Sequence, residues 1–128
     1  MRAIPFLFGL LFLVIGVGVT MGDDYVPEHY YSFEYRDGSF GLAKVLVVEP
    51  KGIHVLIYEG RLKARPTTVD PEKLVVWAYH FPIMRPVFEN SKPIHLAPGK
   101  ILKDEMIGYE EWRELSGGSG FLGPDGRL

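Results

Sequence analysis

The fold is decided by residues 35–60, YRDGSFGLAKVLVVEPKGIHVLIYEG, in which two turn signals alternate with two apolar runs. Asp37-Gly38 is the strongest kind of dipeptide signal for a tight hairpin, and the proline and glycine of EPKG favour a second turn. Residues 40–48 are apolar on both faces except for Lys44, which is typical of a central strand. The stretch therefore predicts two long, adjacent, antiparallel strands.

Shorter patterns on both sides extend this hairpin into a domain. Residues 31–35 alternate aromatic and polar side chains, and residues 74–79, LVVWAY, are rich in β-branched and aromatic types, so both segments are predicted as strands. A further short strand is expected at 94–96, within a proline-rich and otherwise irregular stretch. Apolar residues recur at helical spacing from Leu102 to Trp112 and predict a helix over 103–115.

These elements predict an α+β protein that is mostly β. The expected architecture is a small bent antiparallel sheet or an SH3-like barrel with a C-terminal helix, preceded by an N-terminal hydrophobic helix. Residues 25–116 would form the β-rich domain, and the glycine-rich residues 117–128 a flexible tail. The first hairpin resembles SH3-like and Tudor-like barrels in its Asp-Gly turn, following aromatic residue and Lys-Val strand, which are Asp37, Gly38, Phe40, Lys44 and Val45 here.

A broader pattern covers most of residues 35–118. It consists of a DGxF…AKVL…G-hydrophobic-HV…Y hairpin, an RPxxVDPxxL segment and an ExxGYxxW helix, and it resembles a bacterial family of small proteins with no assigned activity. The resemblance implies a shared fold and no particular function. The matching residues are Asp37, Gly38, Phe40, Lys44, Val45, Leu46, Gly52, His54, Val55, Tyr58, Arg65, Pro66, Val69, Asp70, Pro71, Leu74, Glu105, Gly108, Tyr109 and Trp112.

Residues 1–22, MRAIPFLFGLLFLVIGVGVTMG, carry a single charge at Arg2 and are followed by two aspartates. An uncharged run of about 20 residues is long enough to cross a bilayer core. The segment is predicted to be an uncleaved transmembrane anchor or a cleaved signal peptide, with a buried core helix as the third interpretation. The expected location is a single-pass membrane protein with its N-terminus inside and its domain outside, or an exported domain after cleavage.

Composition excludes several classes of function. The chain has no cysteine, so disulfides, thiolate nucleophiles and cysteine-based metal sites are excluded. With 14 Lys and Arg against 16 Asp and Glu, the net charge of -2 offers no general attraction to nucleic acid. No phosphate-binding loop, nucleophile elbow or metal-ligand spacing occurs, and we predict no cofactor, no metal site and no catalytic residue.

Two features are candidate binding residues. Arg61, Lys63 and Arg65 place three cations within five residues and would attract a phosphate, an acidic partner or lipid headgroups. The alternative is a solvated loop balanced by nearby carboxylates. Tyr30, Tyr31 and Tyr35 lie in an aromatic segment that suits a peptide-binding or sugar-binding face or a membrane interface, and the alternative is that these rings belong to the core.

The leading hypothesis is a non-enzymatic, membrane-tethered or exported domain that binds a protein or peptide through these tyrosines and the cationic loop. A second hypothesis is a small enzyme with a composite site of His54, His80 and Asp70, which requires the three side chains to meet in one cleft. A third is an immunity-like protein that binds one cognate partner.

Overall fold

The computed structural model describes residues 24–118, 120 and 121. The predicted hydrophobic helix of residues 1–22 lies outside the described residues, and so does most of the predicted tail. Within the described part of the chain, no helix is both long enough and apolar enough to span a membrane.

The described residues form an α+β domain with one five-stranded antiparallel sheet and a C-terminal helix, which confirms the predicted class. The strand order is β4-β3-β2-β1-β5. The strands are β1 (Tyr30–Glu34), β2 (Phe40–Val48), β3 (Gly52–Tyr58), β4 (Val76–Met84) and β5 (Ile94–Ala97), the helices are α1 (Arg85–Asn90) and α2 (Ile107–Ser116), and 3-10 turns span Pro71–Lys73 and Lys103–Met106.

The predicted hairpin is confirmed as β2 and β3, at the centre of the sheet. Val45 pairs with Val55, and the register shifts between Val45 and Val47. The turn before β2 depends on Gly38, whose φ of 87° favours glycine. Asp37 accepts hydrogen bonds from the Ser39 hydroxyl and backbone amide, which hold the pKa of the Asp37 carboxyl below its usual value.

Three element bounds differ from the sequence predictions. β4 continues past residue 79 to Met84 and includes Pro82, which an edge strand tolerates because one side of it has no ladder to break. α1 replaces predicted irregular structure, and Pro86 lies in its first turn, where a missing amide is harmless. The predicted 103–115 helix begins as a 3-10 turn and becomes α-helical only at Ile107.

Both faces of the sheet are covered, which explains why the hairpin is apolar on both sides. One core cluster includes Phe33, Val45 and Ile57 and is joined by Phe88 of α1; we call this side the α1 face. The other cluster consists of Tyr30, Leu46, Leu56 and Tyr58, with Met106 packed against it; we call this side the α2 face. Neighbouring strand residues divide between the faces because successive side chains point to opposite sides of a sheet.

Candidate functional site

The three tyrosines that are candidate binding residues lie in the core. Tyr30, Tyr31 and Tyr35 are only 4%, 5% and 7% exposed. The Tyr31 hydroxyl accepts a hydrogen bond from the Val26 amide at 2.9 Å, and burial raises its pKa. These rings therefore stabilise the sheet, and an aromatic surface for binding a partner would have to be formed by other residues.

The cationic loop is fastened to the first hairpin by its two arginines. The Arg61 guanidinium lies 3.9 Å from the centre of the Tyr35 ring and its Nη1 is 3.0 Å from Asp37 Oδ2. Arg65 Nη1 donates to the buried Ser32 hydroxyl at 2.7 Å. Lys63 is exposed. The structure therefore brings Tyr35 and Arg61 together, whereas Arg65 contacts the inner part of β1.

The most exposed aromatic residues in the described part of the chain lie on β4, at one edge of the sheet. Trp77 and Tyr79 are 61% and 57% exposed, and Val75, which immediately precedes the strand, is 57% exposed. In the described part of the chain, β4 pairs only with β3, so its outer edge has no ladder there. A long apolar edge is uncommon in soluble domains because it can template pairing with another chain. The sequence signal was the spacing of these three residues at every second position in LVVWAY.

A groove of about 640 Å³ adjoins this edge on the α2 face. It runs between β4, the 3-10 turn at Pro71–Lys73 and the segment from residue 98 to 105. Its walls are mostly apolar and its floor carries a few convergent polar groups, a combination typical of ligand sites. The walls include Pro71, Leu74, Val76, Tyr79, Pro98 and Leu102, and the floor includes Tyr30, Lys44, Tyr58 and Glu105.

A buried ion pair crosses the floor of the groove. Lys44 Nζ donates to Glu105 Oε1 at 2.9 Å and to the Lys100 carbonyl at 2.6 Å. The same Glu105 oxygen accepts from the Leu102 amide at 2.9 Å. Burial raises the pKa of the neighbouring Tyr58 hydroxyl still further above neutrality, so this hydroxyl is protonated at neutral pH. The pair fastens the 3-10 turn before α2 to the central strand β2.

A second buried polar network lies under α2 and centres on His54, which is 0% exposed. His54 Nε2 is 2.5 Å from Glu49 Oε2, and His54 Nδ1 is 2.8 Å from His80 Nε2. The arrangement fits two neutral rings in which His54 Nε2–H donates to Glu49 and His80 Nε2–H donates to His54. The rings of Tyr109, Trp112 and Phe121 surround His54 with centroid distances of 4.7, 4.5 and 5.2 Å.

Part of the predicted flexible tail belongs to this aromatic cover. Trp112 Nε1 donates to the Gly120 carbonyl at 2.9 Å, and the Phe121 ring lies 5.2 Å from the Trp112 ring. Gly52 of β3 is required here because a side-chain Cβ at that position would overlap the Phe121 ring. Residues 119 and 122–128 of the predicted tail lie outside the described residues.

The composite site of His54, His80 and Asp70 is assembled only in part. The two histidines meet, but Asp70 caps its own 3-10 turn by accepting from the Glu72 amide at 3.2 Å. Glu49 supplies the carboxylate instead. A second pair, His29 and His95, also meets, with Nδ1 and Nε2 2.7 Å apart. The sequence hypothesis had placed His54 with His80, but no local spacing indicated the His29–His95 pair, because its two histidines are 66 positions apart in the chain.

The His54 network predicts a specific loss of stability in acid. Burial and the neighbouring His54 lower the pKa of His80 to about 4 from its usual 6.5, and burial also lowers the pKa of His54. Between pH 6.5 and pH 4, His80 is protonated in the unfolded chain but neutral in the folded one. The free energy of unfolding therefore falls as the pH drops from about 6.5 to about 4. Urea unfolding across this range measures the effect.

His80→Gln is the matched control for the acid effect, since glutamine keeps a donor toward His54 and does not titrate. We expect the free energy of unfolding of this variant to fall less steeply over the same range. Equal slopes for the variant and the wild type would show that His80 contributes little to the acid loss, which would then come from His54 or from other titratable groups.

Comparisons with protein-family models, with curated proteins and with solved structures found no match for this chain. The family resemblance described above therefore stays a prediction, and function has to be argued from the surfaces themselves. In residues 24–118, 120 and 121, no group of three or more His, Cys, Asp or Glu side chains is arranged to hold a metal ion.

Proposed function

We propose that this protein is a protein- or peptide-binding module, held at a membrane or exported by residues 1–22, that adds an extended peptide to the outer edge of β4. The observation that carries the proposal is the exposure of Trp77 and Tyr79 on β4 and of Val75 immediately before it. The contact surface then lies on β4 and not on the buried tyrosines, and the cationic loop lies at the end of β4.

The edge strand supports this mode of binding physically. An unpaired strand edge offers amide and carbonyl groups to an incoming strand, and alternate side chains then determine which sequence is accepted. The groove beside Tyr79 would receive apolar side chains of the peptide, and its buried polar floor would select among them. Exposed tryptophan and tyrosine are the residue types that most often dominate such contacts.

Charge indicates the kind of peptide. Arg61 and Trp77 line one shallow cavity at the end of β4, and its other lining residues are Tyr35, Tyr58, Glu59 and Gly60. The nearby Lys63 adds a second exposed cation in the same loop. We expect the preferred ligand to alternate apolar residues along β4 and to carry an acidic residue that pairs with the exposed Lys63, because Arg61 is already paired with Asp37.

The narrower fold prediction, an SH3-like barrel, is part of the same proposal. It is supported by the return of β5 to pair with β1, so that the last strand lies beside the first. It is supported also by register shifts in the β2–β3 and β3–β4 ladders, because such irregularities bend strands and increase their twist.

Trp77→Ala is expected to weaken peptide binding by about 30-fold or more, the loss of a typical interface hot spot. The probe is a 12-residue peptide selected from a random displayed library on the full chain in detergent micelles. Its affinity is measured by fluorescence polarisation for the wild type and the variant. Because Trp77 is 61% exposed, the variant should keep the unfolding midpoint of the wild type.

Leu115→Ala is the matched control, because Leu115 is a large apolar residue that is 88% exposed and belongs to α2 rather than to β4. The selected peptide should bind this variant as it binds the wild type, and binding should slow amide hydrogen exchange in β4. A peptide that binds equally well without Trp77, or that protects only other strands, would refute the proposed site.

The enzyme hypothesis has one observation in its favour, the hydrogen-bonded chain from Glu49 through His54 to His80. Such a chain orients an imidazole and can move a proton. His54 is fully buried beneath α2, however, so a substrate reaches it only if the aromatic cover is displaced. The binding module is therefore the function that the geometry favours, and an immunity-like protein with a single cognate partner would use the same β4 surface.

A further inference from the structure

His29 and His95 bring two imidazole nitrogens together on the surface of the domain. His29 Nδ1 lies 2.7 Å from His95 Nε2, although the two residues are 66 positions apart in the chain. His95 is exposed and His29 is half-buried, so solvent reaches the pair. We propose that this pair is a binding site for a divalent transition-metal ion of the Zn²⁺, Cu²⁺ or Ni²⁺ class. Nothing in the β4 proposal depends on it.

The geometry of the pair is close to what one metal ion requires. Two nitrogens bound at about 2.0–2.1 Å to a tetrahedral zinc ion lie roughly 3.3 Å apart. Small rotations of the two imidazoles would widen the distance between the two nitrogens from 2.7 Å in the hydrogen-bonded pair to this value. The metal then replaces the shared proton, and each imidazole coordinates through the nitrogen that already faces the other ring.

The backbone holds both histidines in place before any metal binds. The His29 carbonyl accepts from the Val45 amide at 3.0 Å, which ties the residue to β2. His95 pairs with Tyr31 in the β1–β5 ladder. The Tyr31 ring packs edge-on against the His95 ring at 5.4 Å. Binding therefore needs little ordering of the chain.

The donor set determines the class of metal. Imidazole suits zinc, copper and nickel, whereas magnesium and calcium prefer oxygen ligands. The described residues add no third protein ligand to form a larger cluster, so water completes the coordination and leaves positions open for exchange, whereas structural zinc sites are closed by four protein ligands. The His54–His80 pair is different, because His54 is fully buried beneath aromatic rings and is already hydrogen-bonded to Glu49.

The test is isothermal titration of the full chain in detergent micelles with ZnCl₂ or NiCl₂, with MgCl₂ as the hard-cation control. We expect one saturable site for zinc or nickel and none for magnesium. His29→Gln and His95→Gln should each weaken the metal affinity by more than about tenfold, because loss of a supporting partner alone has an effect of that size. Both variants should keep the far-UV circular dichroism of the wild type.

Side-chain nitrogen NMR of the histidines gives an independent readout. Zinc should shift the ring resonances of His29 and His95 and leave those of His54 and His80 in place. It should also raise the midpoint of thermal unfolding, because it links β5 to the segment before β1. Absence of saturable binding to the folded wild type would overturn the proposal, as would wild-type affinity in either variant or zinc shifts confined to other histidines.

Discussion

Replacing Phe88 by alanine should lower the free energy of unfolding by about 3–5 kcal/mol, the usual loss for a buried phenylalanine. Phe88 is 0% exposed and is the only buried side chain of the six-residue helix α1. Its ring joins the core cluster of the α1 face and packs edge-on against Tyr25 at 4.9 Å between ring centres. Urea unfolding followed by tryptophan fluorescence measures the change.

Glu89→Ala is the matched control for Phe88, since it alters the next residue of the same short helix and Glu89 is exposed. Its free energy of unfolding should stay within about 0.5 kcal/mol of the wild type, as for most surface substitutions. A small effect of Phe88→Ala would mean that α1 contributes little to the core and that the α1 face is held by the strands alone.

Replacing Glu105 by alanine should lower the free energy of unfolding by about 3 kcal/mol, because it leaves the Lys44 ammonium buried without its anion. Lys44 is 3% exposed and Glu105 is 7% exposed. The substitution also removes the acceptor for the Leu102 amide, so the turn before α2 loses a second contact. The floor of the groove beside β4 should loosen at the same time.

A double variant separates charge burial from packing. Lys44→Met combined with Glu105→Leu removes both charges and keeps apolar volume, so its stability should return toward that of the wild type or exceed it. Asp104→Ala, at the exposed neighbouring carboxylate, is the control and should change stability little. Equal losses from Asp104→Ala and Glu105→Ala would show that the buried ion pair is not an important contact.

Strand and helix types followed from local patterns. The Asp-Gly turn, the two-faced apolar run of β2 and the alternation in β3 each depend on residues close together in the chain, so they were predictable. The bounds of β4 and the presence of α1 were not predictable from the sequence. Pro82 and Pro86 each indicate an interruption of regular structure, but an edge strand can contain the first and the first turn of a helix the second.

The candidate site was less predictable than the fold. Tyr30, Tyr31 and Tyr35 were visible as an aromatic segment, but aromatic residues serve cores and contact surfaces equally, and only burial distinguishes the two. Trp77 and Tyr79 lay in a predicted strand without any sign that this strand would become a sheet edge. Arg61 was visible as a cation in a loop, but its contact with Tyr35 depends on the loop folding back against the hairpin.

The sequence by itself determined the α+β class, the central hairpin, the C-terminal helix and the positions of the buried ionisable groups Lys44 and His54 within their strands. These depend on periodicity and turn chemistry, which act over a few residues. Only the tertiary structure decided that Lys44 meets Glu105, that His54 meets His80, that His29 meets His95, and that β4 forms the edge. Strand order and register produce these contacts, and a one-residue slip in register would turn the same side chains to the opposite face.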